Sequence, residues 1–188
     1  MKKNIYLALL IIILTQISQA ATLTDIKSTW LTVDNKEQSV SSTVGQSYTL
    51  IAMVYTGCAH ACPMTISKIQ RILKDFEGQG FKNVNVILAS FDVKNDRPAK
   101  LKKYQLERKL DVKKWSFLSA ASDDDARELS VALGISYKDL GDGDFSHSNA
   151  ITLLGPGAEI LASIDNLNAS SDKLIEALKA HTAKAKAP

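Results

Sequence analysis

The residues of this chain with the most distinctive chemistry are Cys58 and Cys62, its only two cysteines. Three residues separate them, so the two sulfurs can close a small disulfide or turn toward one soft metal ion. On ligand type alone, two thiolates suit Cu(I) or Zn(II). A disulfide across so small a loop removes little entropy from the unfolded chain, which favours a working dithiol over a structural crosslink.

A strand and a helix are predicted to hold the two cysteines. The apolar run from Leu50 to Tyr55 is typical of a strand buried on both faces, and Pro63 stands where a helix would begin. Backbone N–H groups without intrahelical partners gather at a helix start and stabilise a thiolate. Cys62 is therefore the better candidate for the nucleophile, with Cys58 in the preceding loop.

His147 is the third candidate, although it is far from the cysteines in sequence. Ligands of open α/β sheets gather beyond the carboxyl ends of the parallel strands, so we expect His147 to reach the same end of the sheet as the dithiol. A lone histidine is otherwise most often a hydrogen-bonded loop residue. His60 is a solvated residue, a modulator of thiolate charge or a substitute metal ligand. Met64 is either first-turn packing or a soft auxiliary ligand, and His181 receives no role.

Hydrophobic periodicity predicts the order strand, helix, strand, helix, strand, helix, strand, strand, helix along the chain. Helices that alternate with strands indicate a parallel sheet, and the last two strands add an antiparallel hairpin. We therefore predict an α/β, thioredoxin-like fold, with a central mixed sheet flanked by helices and a C-terminal β-hairpin and helix. The predicted divisions are a signal peptide (1–20), an N-terminal extension and hairpin (21–47), the thioredoxin-like domain (48–182) and a frayed tail (183–188).

The first 20 residues have the pattern of a secretory signal: Lys2 and Lys3, an apolar stretch from Ile5 to Leu14, and a polar cluster that leads to a plausible cleavage site at Ser18-Gln19-Ala20. The apolar stretch is shorter than the roughly 20 residues of a spanning helix, so we expect cleavage, no stable membrane span afterwards and a periplasmic location. An uncleaved anchor is the alternative. The leader carries two of the 23 basic residues and none of the 20 acidic ones, so the mature chain is close to neutral and a nucleic-acid role is not expected.

Three sequence runs together resemble the Sco/SenC family of copper-binding, thioredoxin-like proteins, over about residues 44 to 180. They are V-Y-T-G-C-A-H-A-C-P, F-D-V-K-N-D-R-P and S-H-S-N-A-I-T-L-L-G-P-G. The resemblance implies that Cys58, Cys62 and His147 are copper ligands. It also implies that Asp92, Asp96 and Pro98 match the family's acidic turn.

The same resemblance implies a function and a partner. The function would be to metallate the dinuclear copper centre of cytochrome c oxidase, or to reduce the cysteines of that centre so that copper can enter. The partner would be the copper-site subunit of the oxidase or a similar cuproprotein. The chain departs from the family in its cysteine loop, which reads Ala59-His60-Ala61 where relatives usually have Pro-Asp.

Three functions follow as hypotheses. The first is a periplasmic copper chaperone that holds copper through Cys58, Cys62 and His147. The second is a thiol-disulfide oxidoreductase that uses the dithiol and has no need of His147. The third is a module that senses copper or redox state and docks on a partner.

Overall fold

The structure is a computed structural model that describes residues 22–58 and 61–185. The predicted signal peptide and His60 lie outside these residues. The strands are β1 (Trp30–Thr32), β2 (Glu37–Gln38), β3 (Tyr48–Val54), β4 (Val84–Ser90), β5 (Trp115–Ala120), β6 (Tyr137–Asp139), β7 (Phe145–His147), β8 (Ile151–Leu154) and β9 (Ile160–Ile164). The α-helices are α1 (Val40–Val44), α2 (Ala61–Gly78), α3 (Pro98–Glu107), α4 (Asp123–Ala132) and α5 (Asp172–Ala185).

Seven of these strands form one mixed sheet in the order β2-β1-β5-β4-β3-β8-β9. The three central strands, β3, β4 and β5, are parallel, and β8 and β9 form the antiparallel C-terminal hairpin. From Thr49 to Val54 every residue of β3 is buried, because the neighbouring layers cover both faces of this strand. The predicted mixed sheet with a terminal hairpin is confirmed.

Helix α2 packs its apolar side into the core next to β3. Ile66, Ile69, Ile72 and Phe76 recur at helical spacing, and all four are buried. The helix begins at Ala61, two residues earlier than the sequence predicts, so Cys62 already belongs to its first turn.

The N-terminal segment belongs to the main sheet. Strands β1 and β2 pair antiparallel, and β1 also pairs with the end of β5, with Trp30 opposite Ala120. Beyond this hairpin, Val40 and Val44 lie in helix α1, where the sequence suggested no helix. Ser39 explains the helix, because its side chain accepts a hydrogen bond from the Ser42 N–H and caps the first turn.

Strands β6 and β7 form a separate two-stranded sheet, which we call the His147 hairpin (residues 137–147). Tyr137 lies opposite His147, and Asp139 lies opposite Phe145. The acidic tip of this hairpin is exposed. His147 is the last residue of β7, so the backbone pairing with Tyr137 holds it.

Helix α5 continues to Ala185, past residue 183, where the sequence predicted a frayed tail. Alanine and lysine favour helix, and His181 fastens this end of the helix to the sheet. The His181 Nδ1 lies 2.9 Å from the Tyr48 hydroxyl, and its Nε2 lies 3.2 Å from Glu159 Oε2. His181, which received no role from the sequence, is thus a docking residue of α5.

Across residues 22–58 and 61–185, the structure contains no helix long and apolar enough to cross a membrane.

Candidate metal centre

The structure brings Cys58, Cys62 and His147 to one point at the end of β3. Cys58 lies in the loop after β3, Cys62 in the first turn of α2, and His147 at the end of β7. One ligand atom from each residue lies within 4.8 Å of those of the other two. The predicted convergence of two sulfurs and a distant imidazole is therefore present in the fold.

This donor set fits a soft metal ion. Metal–sulfur and metal–nitrogen bonds of about 2.0–2.3 Å place the ligand atoms of a three-coordinate ion within about 4 Å of one another. All the observed separations are within 4.8 Å, so at most small side-chain adjustments are needed to bind one ion. Two thiolates with one imidazole suit Cu(I) or Zn(II) better than the hard cations Mg²⁺ and Ca²⁺.

The imidazole of His147 is oriented for this role. Its Nδ1 lies 3.0 Å from the Ser148 carbonyl oxygen. A carbonyl only accepts hydrogen bonds, so Nδ1 carries the proton and Nε2 keeps its lone pair for a metal. The ring also packs beside the rings of Phe91 and Tyr55, with centroid separations of 5.3 and 5.9 Å.

The two thiols differ in exposure and in hydrogen bonding. Cys62 is buried, with 1% of its surface exposed, whereas Cys58 is partly exposed. Burial raises the pKa of the Cys62 thiol, although the Tyr55 N–H donates to its sulfur at 3.4 Å. The Cys62 N–H, at the start of α2, donates to the Cys58 sulfur, also at 3.4 Å.

These observations correct the prediction that Cys62 is the better nucleophile. The sequence places Cys62 at the helix start, but the free N–H there points at Cys58, and the Cys62 sulfur lies in the core. The desolvation of the thiolate outweighs the benefit of the helix terminus. Cys58 is therefore the more accessible of the two sulfurs.

Asp96 holds the start of the dithiol loop in place. It is fully buried, and its carboxylate accepts hydrogen bonds from the Thr56 N–H at 2.7 Å, the Thr56 hydroxyl and the Ser90 hydroxyl at 2.7 Å. Lys100 adds an ion pair at 3.3 Å. Thr56 precedes Cys58 by two residues, so Asp96 supports the metal centre without belonging to it.

The other residues considered from sequence have smaller roles in the described structure. Asp92 is buried and accepts hydrogen bonds from the backbone and side chain of Asn95, which closes the turn after β4. Met64 is 55% exposed in the first turn of α2, so it does not pack in the core.

Sequence reasoning missed Tyr55 as a residue of the site. Its hydroxyl donates to Asp144, at the tip of the His147 hairpin. The aromatic ring next to the predicted dithiol loop was the available signal, but the sequence gives no indication of its partner.

Comparisons with known proteins identify related proteins. The SCO1/SenC family model matches residues 18–183. A SCO1 protein homolog from Bacillus subtilis (strain 168) is 26% identical over 149 residues, which cover 78% of this chain and 76% of that protein.

Two solved structures share the fold. Copper-bound ScoI from Arabidopsis thaliana is 16% identical, with a TM-score of 0.70 over 84% of this chain and 96% of that chain. BsSco, a member of the Sco family of cytochrome c oxidase assembly proteins in which a disulfide switch was identified, is 21% identical. Its TM-score is 0.68 over 86% of this chain and 93% of that chain. These similarities confirm the predicted thioredoxin-like fold. Because the family model spans nearly the whole sequence, the chain belongs to the SCO1/SenC family.

Proposed function

We propose that this protein is a periplasmic copper chaperone that supports assembly of the dinuclear copper centre of cytochrome c oxidase. The observation that carries the proposal is the cluster of Cys58, Cys62 and His147, whose ligand atoms lie within 4.8 Å of one another. Copper-bound ScoI from Arabidopsis thaliana and the description of BsSco as an oxidase assembly protein support the choice of metal and target. Copper is here the cargo of the protein.

The unequal thiols suggest how the cargo would be released. Three donors leave one side of a Cu(I) ion open to an incoming sulfur. Cys58 is the partly exposed thiol, so a thiolate of the target would replace Cys58 first. Cys62 and His147 would keep hold of the ion until the target supplies further ligands. Oxidation of the dithiol to a disulfide would remove both sulfur donors and prevent loading.

The target we propose is the copper-site subunit of cytochrome c oxidase or a similar cuproprotein. The N-terminal sequence supports a periplasmic location for this exchange, because it has the charged, apolar and polar segments of a secretory signal, in that order.

A copper titration tests the proposal. The reduced protein is titrated with Cu(I) against a chromophoric chelator, together with Cys58→Ser and His147→Ala. We expect one high-affinity Cu(I) ion in the unmodified protein and a loss of at least about tenfold in affinity in each variant, because each removes a ligand. His181→Ala is the matched control, since it removes an imidazole that bonds to Tyr48 and Glu159. Unchanged affinity in both ligand variants would falsify the proposal.

The second candidate function is that of a thiol-disulfide reductase for the target's copper-ligand cysteines. The hydrogen bond from the Cys62 N–H to the partly exposed Cys58 sulfur favours it. The Cys58 thiolate would attack a disulfide of the target, form a mixed disulfide and release one target thiol. Cys62 would then displace the second target thiol and form the Cys58–Cys62 disulfide, so that two electrons pass to the target.

His147→Ala separates the two functions. A chaperone loses copper affinity in this variant, whereas a reductase keeps its rate on a disulfide-bonded peptide of the target's copper site. Both activities are measured on the same preparation, with Cys58→Ser as the variant that weakens copper binding and abolishes reductase activity.

A further inference from the structure

Tyr55 joins the strand that leads to the dithiol to the hairpin that carries His147. It follows β3 directly and is buried. Its hydroxyl donates a hydrogen bond to the Asp144 carboxylate and accepts one from the Phe145 N–H at 3.4 Å. The two hydrogen bonds therefore connect Tyr55, which precedes the dithiol loop, to the His147 hairpin.

The ring of Tyr55 makes a second set of contacts with the same hairpin. It meets the ring of Phe145 edge-on at 5.0 Å and the ring of His147 edge-on at 5.9 Å. Ring contacts fill space but tolerate sliding, whereas hydrogen bonds fix one position. The hydroxyl is thus the part of Tyr55 that sets where the hairpin lies.

The His147 hairpin has few other restraints of this directional kind. It is a separate two-stranded sheet, and the structure describes no hydrogen bond between it and a strand of the seven-stranded sheet. Elsewhere it packs through rings, since Phe91 stacks on Tyr137 at 4.8 Å and meets Phe145 at 5.1 Å. The position of the imidazole relative to the two sulfurs therefore depends on Tyr55.

We propose that Tyr55 is a positioning residue, whose hydroxyl holds the His147 hairpin at the distance from the dithiol at which the imidazole serves as third ligand. The inference rests on the proposed copper-binding function and names a residue outside the ligand set. Residues that orient metal ligands typically change metal affinity by about 10–100-fold when they are lost.

Tyr55→Phe is the sharpest test, because it keeps the ring contacts and removes only the hydroxyl. Tyr137→Phe is the matched control: it makes the same chemical change on the same hairpin, and the described residues include no hydrogen-bond partner for the Tyr137 hydroxyl. Asp144→Ala removes the acceptor of the Tyr55 hydroxyl. Because Asp144 is exposed, this variant replaces Tyr55→Phe as the test if Tyr55→Phe does not fold.

The proteins are compared in three measurements. In Tyr55→Phe we expect Cu(I) affinity to fall by about tenfold and X-ray absorption to show the two sulfur neighbours with the nitrogen neighbour lost or weakened. In the metal-free reduced protein, amide hydrogen exchange across the His147 hairpin should speed up, because the hairpin loses its hydrogen bonds to the Tyr55 hydroxyl. Asp144→Ala should reproduce the copper effects, and Tyr137→Phe should match the unmodified protein in all three measurements.

Two outcomes separate the inference from the proposed function. If the unmodified protein shows two sulfurs and one nitrogen around copper, and Tyr55→Phe shows the same neighbours with the same affinity, the positioning role is overturned while the chaperone proposal stands. If the unmodified protein binds copper without a nitrogen neighbour, the proposed ligand set is overturned, and the role of Tyr55 with it.

Discussion

The backbone N–H of Cys62 points at the sulfur of Cys58, 3.4 Å away, while the sulfur of Cys62 lies in the core. The N–H group at the helix start thus donates to the sulfur of the preceding cysteine, Cys58, whereas the sulfur of Cys62 is buried away from solvent. The dithiol therefore has an outer and an inner sulfur, and this difference can be measured without any metal.

Alkylation should distinguish the two thiols. With iodoacetamide at pH 8, we expect Cys58 to react at least about tenfold faster than Cys62, because Cys62 is buried and burial raises the pKa of its thiol. Mass spectrometry of proteolytic peptides gives both rates. In Cys58→Ser, Cys62 should remain slow, and preferential modification of Cys62 would contradict the assignment.

The buried thiol should also make the stability of the reduced protein fall at high pH. The pKa of Cys62 in the folded protein is raised above its ordinary value of 9.0. Its contribution to stability is fully present below that value and is lost as the pH rises above it, because only the unfolded chain ionises there. Urea unfolding of the reduced protein at pH 7 and pH 9.5 should show this loss. In Cys62→Ala, the free energy of unfolding should fall less between pH 7 and pH 9.5. An equal fall in the two proteins would refute the prediction.

Removal of the Asp96 carboxylate should destabilise the fold and loosen the dithiol loop. Asp96→Ala leaves the Thr56 N–H and the Ser90 hydroxyl without their acceptor, so we expect a loss of about 3 kcal/mol in the free energy of unfolding. Urea denaturation measures it. Glu107→Ala, which removes an exposed ion pair with Lys103, is the control and should cause no measurable change. A comparable loss of unfolding free energy in the two variants would contradict the predicted contribution of the buried Asp96 hydrogen bonds.

His181→Ala should detach the end of α5 from the sheet. The variant loses the bonds to Tyr48 and Glu159, and we expect a loss of about 1–2 kcal/mol in stability. His147→Ala removes one hydrogen bond, to the adjacent residue, and ring contacts with Phe91 and Tyr55 in a hairpin outside the main sheet, so the metal-free protein should lose less. Thermal unfolding of the two metal-free variants compares them, and a larger loss in His147→Ala would be the contrary result.

Acid should weaken the contact between Tyr55 and the hairpin. The hydrogen bond from the Tyr55 hydroxyl holds the pKa of Asp144 below its ordinary value of 3.8. The contribution of the Asp144 carboxylate to the stability of the fold is therefore present above pH 3.8 and is lost as the pH falls through its lowered pKa. In Tyr55→Phe, an NMR titration should show the pKa of Asp144 moved back toward 3.8. No movement would show that the hydroxyl does not stabilise the carboxylate.

Local sequence patterns were sufficient for the unit of β3, dithiol loop and α2. The apolar run from Leu50 to Tyr55 has no polar interruption, and Pro63 lies only two residues after the observed start of α2, so periodicity and helix-start rules place these elements closely. The same holds for the terminal hairpin, where Gly155-Pro156-Gly157 separates two apolar segments.

The His147 hairpin could not be predicted in this way. Its strands have three residues each, and it is held by rings that lie far apart in sequence, such as Phe91 and Tyr137. The order of the two thiols was predicted wrongly, with Cys62 as the better nucleophile, because the burial of Cys62 depends on the packing of the whole sheet. The bonds of His181 to Tyr48 and Glu159 have the same origin in tertiary structure.

The first described residue, Thr22, forms a β-bridge with Glu159, just past the turn between β8 and β9. Leu154 at the end of β8 lies opposite Thr49 near the start of β3, so Thr22 sits at the end of the sheet away from Cys58. The seven residues of β3 between these ends correspond to roughly 23 Å. A bead, fluorophore or carrier domain attached through the amino-terminal side would leave the thiols facing outward, which makes that side the one to choose for immobilising the protein.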